Sequence, residues 1–360
     1  MSEYYVSLPN DSQLSPAQRK AITDTNAIAL SGGPGTGKSI VSLLRHITNH
    51  SLQNKKISEL LTFTTSLALY LKKCTEKQNL SAAGHVNSAK DWKFNHASSR
   101  DEIIMDEAQD LALAFNQGLS KISKQFSYGA DDQQLITSNS RNSDGSYNLD
   151  RCSCEAALHN IFTKNTRHAL SKNYRNSKRI MNFTKSVFQD AWIPLEILNS
   201  CKEDGEFPRW FSFGNDLQKQ NNTILSIVKQ YNLNSDTNTA ILLPFENKNS
   251  IAGVEATVAY YHKLLADNNI DCSVYTNSMS GCKAIKNVHV TTFKSSKGLE
   301  FDNVIIPVFH YFQNIFQVIT WRDYYVGVTR AKSNLFIFSK NHFSLSSSSG
   351  NDKVYEKVVL

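Results

Sequence analysis

Nine consecutive residues near the start of the chain, Ser31-Gly32-Gly33-Pro34-Gly35-Thr36-Gly37-Lys38-Ser39, join a small, pliable backbone to one ammonium and one hydroxyl. From Gly32 onward they fit G-x-x-x-x-G-K-[ST], a loop whose backbone N–H groups close around phosphate oxygens at a helix N-terminus. Gly33, Pro34, Gly35, Thr36 and Gly37 would form the cradle, Lys38 would meet the β- and γ-phosphates, and Ser39 would hold Mg²⁺. A second cluster follows the apolar run Ile103-Ile104-Met105: Asp106-Glu107-Ala108-Gln109-Asp110. Neighbouring acids at a strand end point to opposite sides. Asp106 can therefore serve the metal while Glu107 reaches an attacking water as general base. Together the two clusters spell nucleoside triphosphate hydrolysis.

Such chemistry needs strands that end at a common edge. Apolar, β-rich runs occur at Ala27–Leu30, Leu60–Thr64, Ile103–Met105, Gln125–Tyr128, Ala240–Pro244, Val288–Phe293, Val304–Phe309 and Leu335–Ser339, with helix-like stretches between them. This alternation predicts an α/β fold, parallel sheets covered by helices, with ligands at the carboxyl ends of the strands. At 360 residues, 40% of them hydrophobic, the chain divides most naturally into two lobes. We place the lobes at 1–169 and 170–343, with a serine-rich mobile tail at 344–360. The polar stretch Ser138–Arg151 reads as an exposed loop. A net charge of +7 suits a polyanionic partner without proving one. No segment approaches the ~20 apolar residues of a membrane span, and the N-terminus lacks a leader pattern, so a cytoplasmic address is expected. The six cysteines are scattered. Cys152-Ser153-Cys154 lacks C-x-x-C spacing, and a zinc site drawn from Cys152, Cys154 and His159 wants a fourth ligand, so no zinc is expected.

Further motifs, in order from residue 14 to residue 332, make the chain resemble the superfamily 1 DNA helicases of the UvrD/Rep/PcrA type. Leu14-Ser15-Pro16-Ala17-Gln18 resembles the adenine-reading element, which assigns the base edge to Gln18; an amide donates and accepts together, as that contact requires. Thr62-Phe63-Thr64-Thr65 is similar to a strand-contacting motif, making Phe63 a stacking platform and Thr64 and Thr65 phosphate contacts. Gly129-Ala130-Asp131-Asp132-Gln133-Gln134 resembles the third helicase motif, with Gln133 as γ-phosphate sensor. Asn173-Tyr174-Arg175-Asn176 resembles the motif that stacks a tyrosine, Tyr174, on adenine and sends an arginine, Arg175, to the γ-phosphate. Thr291-Thr292-Phe293-Lys294-Ser295-Ser296-Lys297-Gly298-Leu299-Glu300 resembles the fifth motif, implying Gly298 and Glu300 on the ribose side and Thr291 and Thr292 near nucleic-acid phosphate. Tyr325 to Lys332 resembles the sixth motif, whose second arginine finger falls on Arg330.

The resemblance implies two RecA-like lobes that bind ATP and Mg²⁺ in a cleft between them and move 3′-to-5′ on single-stranded nucleic acid. It implies DNA, although the strand-contacting residue types address phosphates and base faces that RNA shares. Two departures bear on function. About 35 residues separate Ala68 from Ile103 and about 110 separate Asn176 from Val288, too few for the family's large inserted domains. The third motif continues as Leu135-Ile136-Thr137 rather than into an aromatic segment. The expected activity is thus a minimal ATP-driven motor. The rivals are a nucleotide-dependent switch controlling a partner such as a nuclease, in repair or phage defence, and a catalytically silent nucleic-acid-binding protein. Basic residues at Lys164, Arg167, Lys172, Lys178 and Arg179 line either the strand path or a solvated face.

Overall fold

All eight apolar runs are strands in the computed structural model, which describes residues 8–95, 99–203, 205–232, 237–247, 252–275, 285–313, 319–342 and 353–360. The chain forms two compact units that part between Lys172 and Asn173. The first unit is built on β1 (Ile28–Ser31), β2 (Ser58–Thr62), β3 (Val86–Ser88), β4 (Arg100–Asp106), β5 (Ser123–Ala130) and β6 (Thr166–Ala169), in the order β3-β2-β4-β5-β1-β6. Every pairing is parallel. A parallel sheet is covered on both faces, which is why its central strands read as unbroken apolar runs rather than as alternation. Register brings Ser31 opposite Ala130 and Thr62 opposite Asp106, so the strands that carry the chemistry end at one edge.

A buried polar knot fixes the opposite edge. Arg45, on helix Lys38–Asn49, donates Nε to Glu102 Oε1 of β4 at 2.8 Å and its other nitrogens to the carbonyls of Ala21, Asp24 and Asn26. Asn49 and the Ser127 hydroxyl also donate to Glu102. The helix that begins at Lys38 and the strand that ends at Asp106 are thereby clamped to each other at their far ends.

Among the described residues the second unit has seven strands: β7 (Arg209–Ser212), β8 (Thr239–Leu243), β9 (Ser273–Tyr275), β10 (Val288–Thr292), β11 (Phe301–Ile306), β12 (Ala331–Ser339) and β13 (Glu356–Val359). Their order is β13-β7-β12-β11-β8-β10-β9, again parallel throughout. Its core gathers Ile224, Val228, Ile241, Leu243, Val290, Ile305 and Phe338.

One expectation is corrected. The predicted mobile tail is in part a strand, since β13 adds to the sheet edge beside β7, with Val358 and Leu360 packed against the core; residues 344–352 lie outside the described residues. Burial alternates along Glu356-Lys357-Val358-Val359, with Val358 on the half-buried face and Val359 exposed, as in an edge strand with one face on the core. Among the described residues no inserted domain appears. The stretch between helix Thr65–Glu76 and β4 supplies β3 and two short helices, and the stretch from Asn176 to Val288 supplies β7, β8, β9 and their helices. Ser138–Arg151 is the mostly exposed loop its composition predicts, pinned by a bridge between Arg141 and Tyr147 and by the Arg141 guanidinium stacked 3.6 Å over the Tyr147 ring.

Candidate active site

The loop after β1 takes its shape from glycine. Gly35 and Gly37 have φ of +73° and +88°, the left-handed region open to glycine, and a Cβ on Gly37 would come within 2.6 Å of Gln18 Nε2. Gln18 is buried at the start of helix Pro16–Thr23, where its Oε1 accepts from Ser15 N and its Nε2 donates to Thr36 O at 3.3 Å. The predicted base-reading amide is therefore docked on the predicted phosphate loop. Thr36 braces the loop by donating its hydroxyl to Gly33 O. Pro34 is buried, and Gly33 and Ser39 are half-buried.

Lys38 opens helix Lys38–Asn49. Its buried ammonium donates to Gly32 O at 2.5 Å and Gly33 O at 3.2 Å, and stands 3.6 Å from Asp131 Oδ2. Asp106 is buried at the end of β4. Between the two lies Gly129 of β5: a Cβ there would sit 3.2 Å from Asp106 Oδ1 and 3.9 Å from Lys38 Cβ. The phosphate lysine and the metal acid approach across a position that has no side chain. Glu107 is also buried and holds a left-handed φ of +63°, uncommon for a residue with a side chain and a mark of functional strain. Gln109 Nε2 donates to Glu107 Oε2 at 2.6 Å. This donor set suits a magnesium nucleotide. Ser39 and Asp106 would hold the ion, Lys38 the phosphates, and Glu107 would take a proton from water.

Asp131, to which the motif by itself assigns no role, organises the third motif. Its carboxylate accepts from Gln133 N and Gln134 Nε2 and pairs with Lys38, so the predicted sensor Gln133 is anchored to the phosphate loop through one acid. Asp131 directly follows the strand end at Ala130, but the sequence does not say that it, rather than Asp132, turns inward. Asp110 accepts from Ile136 N and the Thr137 hydroxyl, joining the segment after Gln133 to the Asp106 cluster. Burial, with Asp131 and Asp132 nearby, pushes the Glu155 carboxyl up to about 7. Burial likewise pushes the Cys152 thiol up to about 12, and it donates to Ser140 O and Asn148 O rather than standing ready as a metal ligand.

The second unit gathers Arg175, Glu300 and Arg330 where β11 and β12 begin, at the amino edge of its sheet rather than at the carboxyl edge that the fold class led us to expect. Asn173 Oδ1 accepts from Arg175 N and Asn176 N, fixing the turn that presents the half-buried Tyr174 and Arg175. Arg175 donates Nε to Glu300 Oε2 at 2.9 Å. Burial raises the Glu300 carboxyl, but Arg175, Lys332 and Arg330 outweigh it and hold the group below the usual range. Gly298 turns the chain toward Glu300 with a φ of +80°. Arg330 is 1% exposed and donates to the carbonyls of Val326 and Leu299.

The predicted strand contacts fare unevenly. Phe63 is half-buried against the first core, with Lys90 Nζ 5.8 Å from its ring centre, and Thr65 is exposed. Thr64 is instead the buried N-cap of helix Thr65–Glu76, accepting from Leu67 N. Thr291 is fully buried in β10, between β8 and β9, and donates to Tyr275 O. Thr292 is buried and spends its hydroxyl on Ser295. For these three, helix capping and sheet burial claim the groups that the resemblance assigned to phosphate. Of the basic candidates, Lys164, Arg167 and Lys172 are exposed, whereas Arg179 stacks on Phe207 and donates to Gly205 O.

Two family models match the chain: an AAA domain over residues 16–138 and a UvrD-like helicase C-terminal domain over residues 255–342. No curated protein matches it by sequence. Among solved structures, it is similar to the C-terminal domain of a possible DNA helicase from Lactobacillus plantarum WCFS1, at 17% identity and TM-score 0.34, over 51% of this chain and 98% of that one. It is also similar to the PRRSV helicase, at 12% identity and TM-score 0.43, over 90% of this chain and 54% of that one. An arterivirus nonstructural protein 10 helicase in complex with DNA matches at 12% identity and TM-score 0.43, over 89% of this chain and 62% of that one. The chain thus spans little more than half the length of the two viral helicases.

Proposed function

We propose that the chain, whose two halves match an AAA domain and a UvrD-like helicase C-terminal domain, is a UvrD-like superfamily 1 motor that hydrolyses Mg-ATP on single-stranded DNA and travels 3′-to-5′. The observation that carries the ATPase reading is the approach of Lys38 to Asp106 across Gly129, with Glu107 held next in sequence by Gln109. Bound Mg-ATP would supply the electrophilic phosphorus and the metal charge. Around it, Lys38 offsets phosphate charge, Glu107 accepts the proton of the attacking water, and Gln133 is held near Lys38 through Asp131. Arg175 and Arg330 are the proposed fingers, of the kind that raise hydrolysis by ~10³–10⁵ in related chemistry. Tyr174 and Gln18 would hold adenine, and Gly298 and Glu300 the ribose side.

The test is steady-state ATP hydrolysis by the full chain with and without single-stranded DNA, single-stranded RNA and duplex, with Lys38→Ala as the blank. Strong stimulation by single-stranded DNA alone is expected. Hydrolysis indifferent to all three polymers would overturn the motor reading.

A further inference from the structure

We propose that Asp131 is a positioning residue whose carboxylate Lys38 gives up when it takes a triphosphate, so that the third motif feels nucleotide binding through one exchanged counter-ion. The proposal deepens the reading of Lys38 as the phosphate lysine and rests on it. Two independent features of the first unit carry it. The first is a shared carboxylate: Asp131 Oδ2 lies 3.6 Å from the Lys38 ammonium and accepts from Gln134 Nε2, while Oδ1 accepts from Gln133 N. Both Lys38 and Asp131 are buried. The second is an amide oxygen on the same turn, Gln133 Oε1, which is buried without a hydrogen-bond partner among the described residues.

Direction singles out Asp131 among its neighbours. Ala130 ends β5 and carries no charge, and Asp132 turns elsewhere, its Oδ1 accepting from Glu155 N at the start of helix Glu155–Ile161. The other partners of the Lys38 ammonium among the described residues are two neutral carbonyls, Gly32 O and Gly33 O. Asp131 is thus the counter-charge that phosphate oxygens would replace. A buried carboxylate that loses its cation is strongly disfavoured, and a shift of the carboxylate relieves it. The Gln133 and Gln134 groups that donate to it shift as well. They belong to one turn, Asp132–Gln134, whose continuation is held to Asp110 through Ile136 N and the Thr137 hydroxyl. The charge at Lys38 and the setting of this turn are then one equilibrium, and a coupling of that kind acts in both directions. Giving up Asp131 also opposes nucleotide binding. Neutralising it therefore tightens binding and cuts the signal, whereas replacing a residue that merely shaped the loop would weaken binding.

The experiment compares Asp131→Asn and Asp131→Ser with the wild-type chain, and Asp132→Asn is the control for charge alone. Asn and Ser both keep a capping acceptor for Gln133 N, so one variant remains informative if the other does not fold. Binding is read without turnover. A fluorescent non-hydrolysable ATP analogue is titrated with Mg²⁺, and the anisotropy of a labelled single-stranded oligothymidylate is followed with and without that analogue. In wild type the analogue changes the oligonucleotide Kd by about fivefold or more. In both Asp131 variants the Kd for the analogue falls on the order of tenfold, and its effect on the oligonucleotide Kd shrinks to about twofold or less. Asp132→Asn stays within about threefold of wild type in both measurements. An analogue Kd unchanged or weakened in the Asp131 variants, a nucleotide effect on the oligonucleotide that persists there or is absent from wild type, or an equal gain in Asp132→Asn would overturn the proposal and leave the ATP reading standing. A wild-type chain that binds no analogue would sink the ATP reading and the proposal with it.

Discussion

Replacing Arg45 with Met tests whether the polar knot at the far edge of the first sheet holds the site in register. Arg45 and Glu102 are 1% and 0% exposed, so the substitution leaves a carboxylate in the interior without its cation and strips donors from three carbonyls. Breaking one side of a buried pair costs about 3–5 kcal/mol. For a unit of this size, 1 kcal/mol corresponds to roughly 2–4 °C, so the first unit's melting temperature should fall by about 10 °C. Asn49 and Ser127 still donate to Glu102, which favours the lower end of the range. Differential scanning calorimetry reads the loss, and since the two units need not unfold together, the transition of the first must be followed by its nucleotide response. Adding Glu102→Gln to Arg45→Met removes the orphaned charge and should recover part of the loss. The reasoning is refuted if Arg45→Met melts within about 2 °C of wild type, or if the double variant melts no higher than the single one. Below the transition, the KM for ATP of Arg45→Met should rise, because Lys38 and Asp106 lie at the other ends of the clamped helix and strand.

Three further outcomes are expected. Glu107→Gln should bind ATP with wild-type affinity and lose about 10²–10⁴-fold in kcat, and near-normal turnover would remove Glu107 as the base. Gly37→Ala forces a side chain into φ +88° and 2.6 Å from Gln18 Nε2, so the Kd for ATP should weaken on the order of tenfold, from ~1–2 kcal/mol of backbone strain; an unchanged Kd and base preference would show that Gln18 does not read the base there. Glu155 is pushed up to about 7 from 4.5, so between those values the folded chain keeps a proton that the unfolded chain releases, and stability from this group falls as pH rises. Glu155→Gln should therefore gain in melting temperature relative to wild type between pH 5 and pH 8, and parallel pH dependences would contradict the shift.

The sheets were legible in the sequence where strands are central and opaque where they are marginal. β1, β4, β5, β8, β10, β11 and β12 are covered on both faces and announce themselves as apolar runs. β3, β6, β9 and β13 are edge strands of three or four residues, and β7 lies next to an edge; such short pieces carry too few side chains to make a pattern. The phosphate loop was legible because its requirement is on the backbone, and glycine and proline are the residue types that advertise backbone conformation. Gln109 and Asp131 were not, since nothing in a sequence says which of several amides and acids in one turn will face inward.

The two predicted fingers show where transferring roles along motifs loses information. Resemblance gives Arg175 and Arg330 one task, yet the structure places them in different circumstances. Arg175 pairs with a carboxylate, Glu300, at a side-chain exposure of 12%, and exchanging one anion for another leaves no buried donor stranded. Arg330 is 1% exposed and supports the carbonyls of Val326 and Leu299, one at the end of helix Trp321–Val328 and one in the turn before Glu300. When its guanidinium turns to another anion, Val326 O keeps the Thr329 hydroxyl, but Leu299 O loses the Arg330 donor, at about 1–3 kcal/mol if that bond is left unmade. Arg175 is thus a charge poised chiefly on a counter-ion, whereas Arg330 is a structural member of its unit whose contribution to chemistry is inseparable from the fold that carries it. Glu300 joins the two, since the same carboxylate that holds Arg175 follows directly on the Leu299 carbonyl that Arg330 supports.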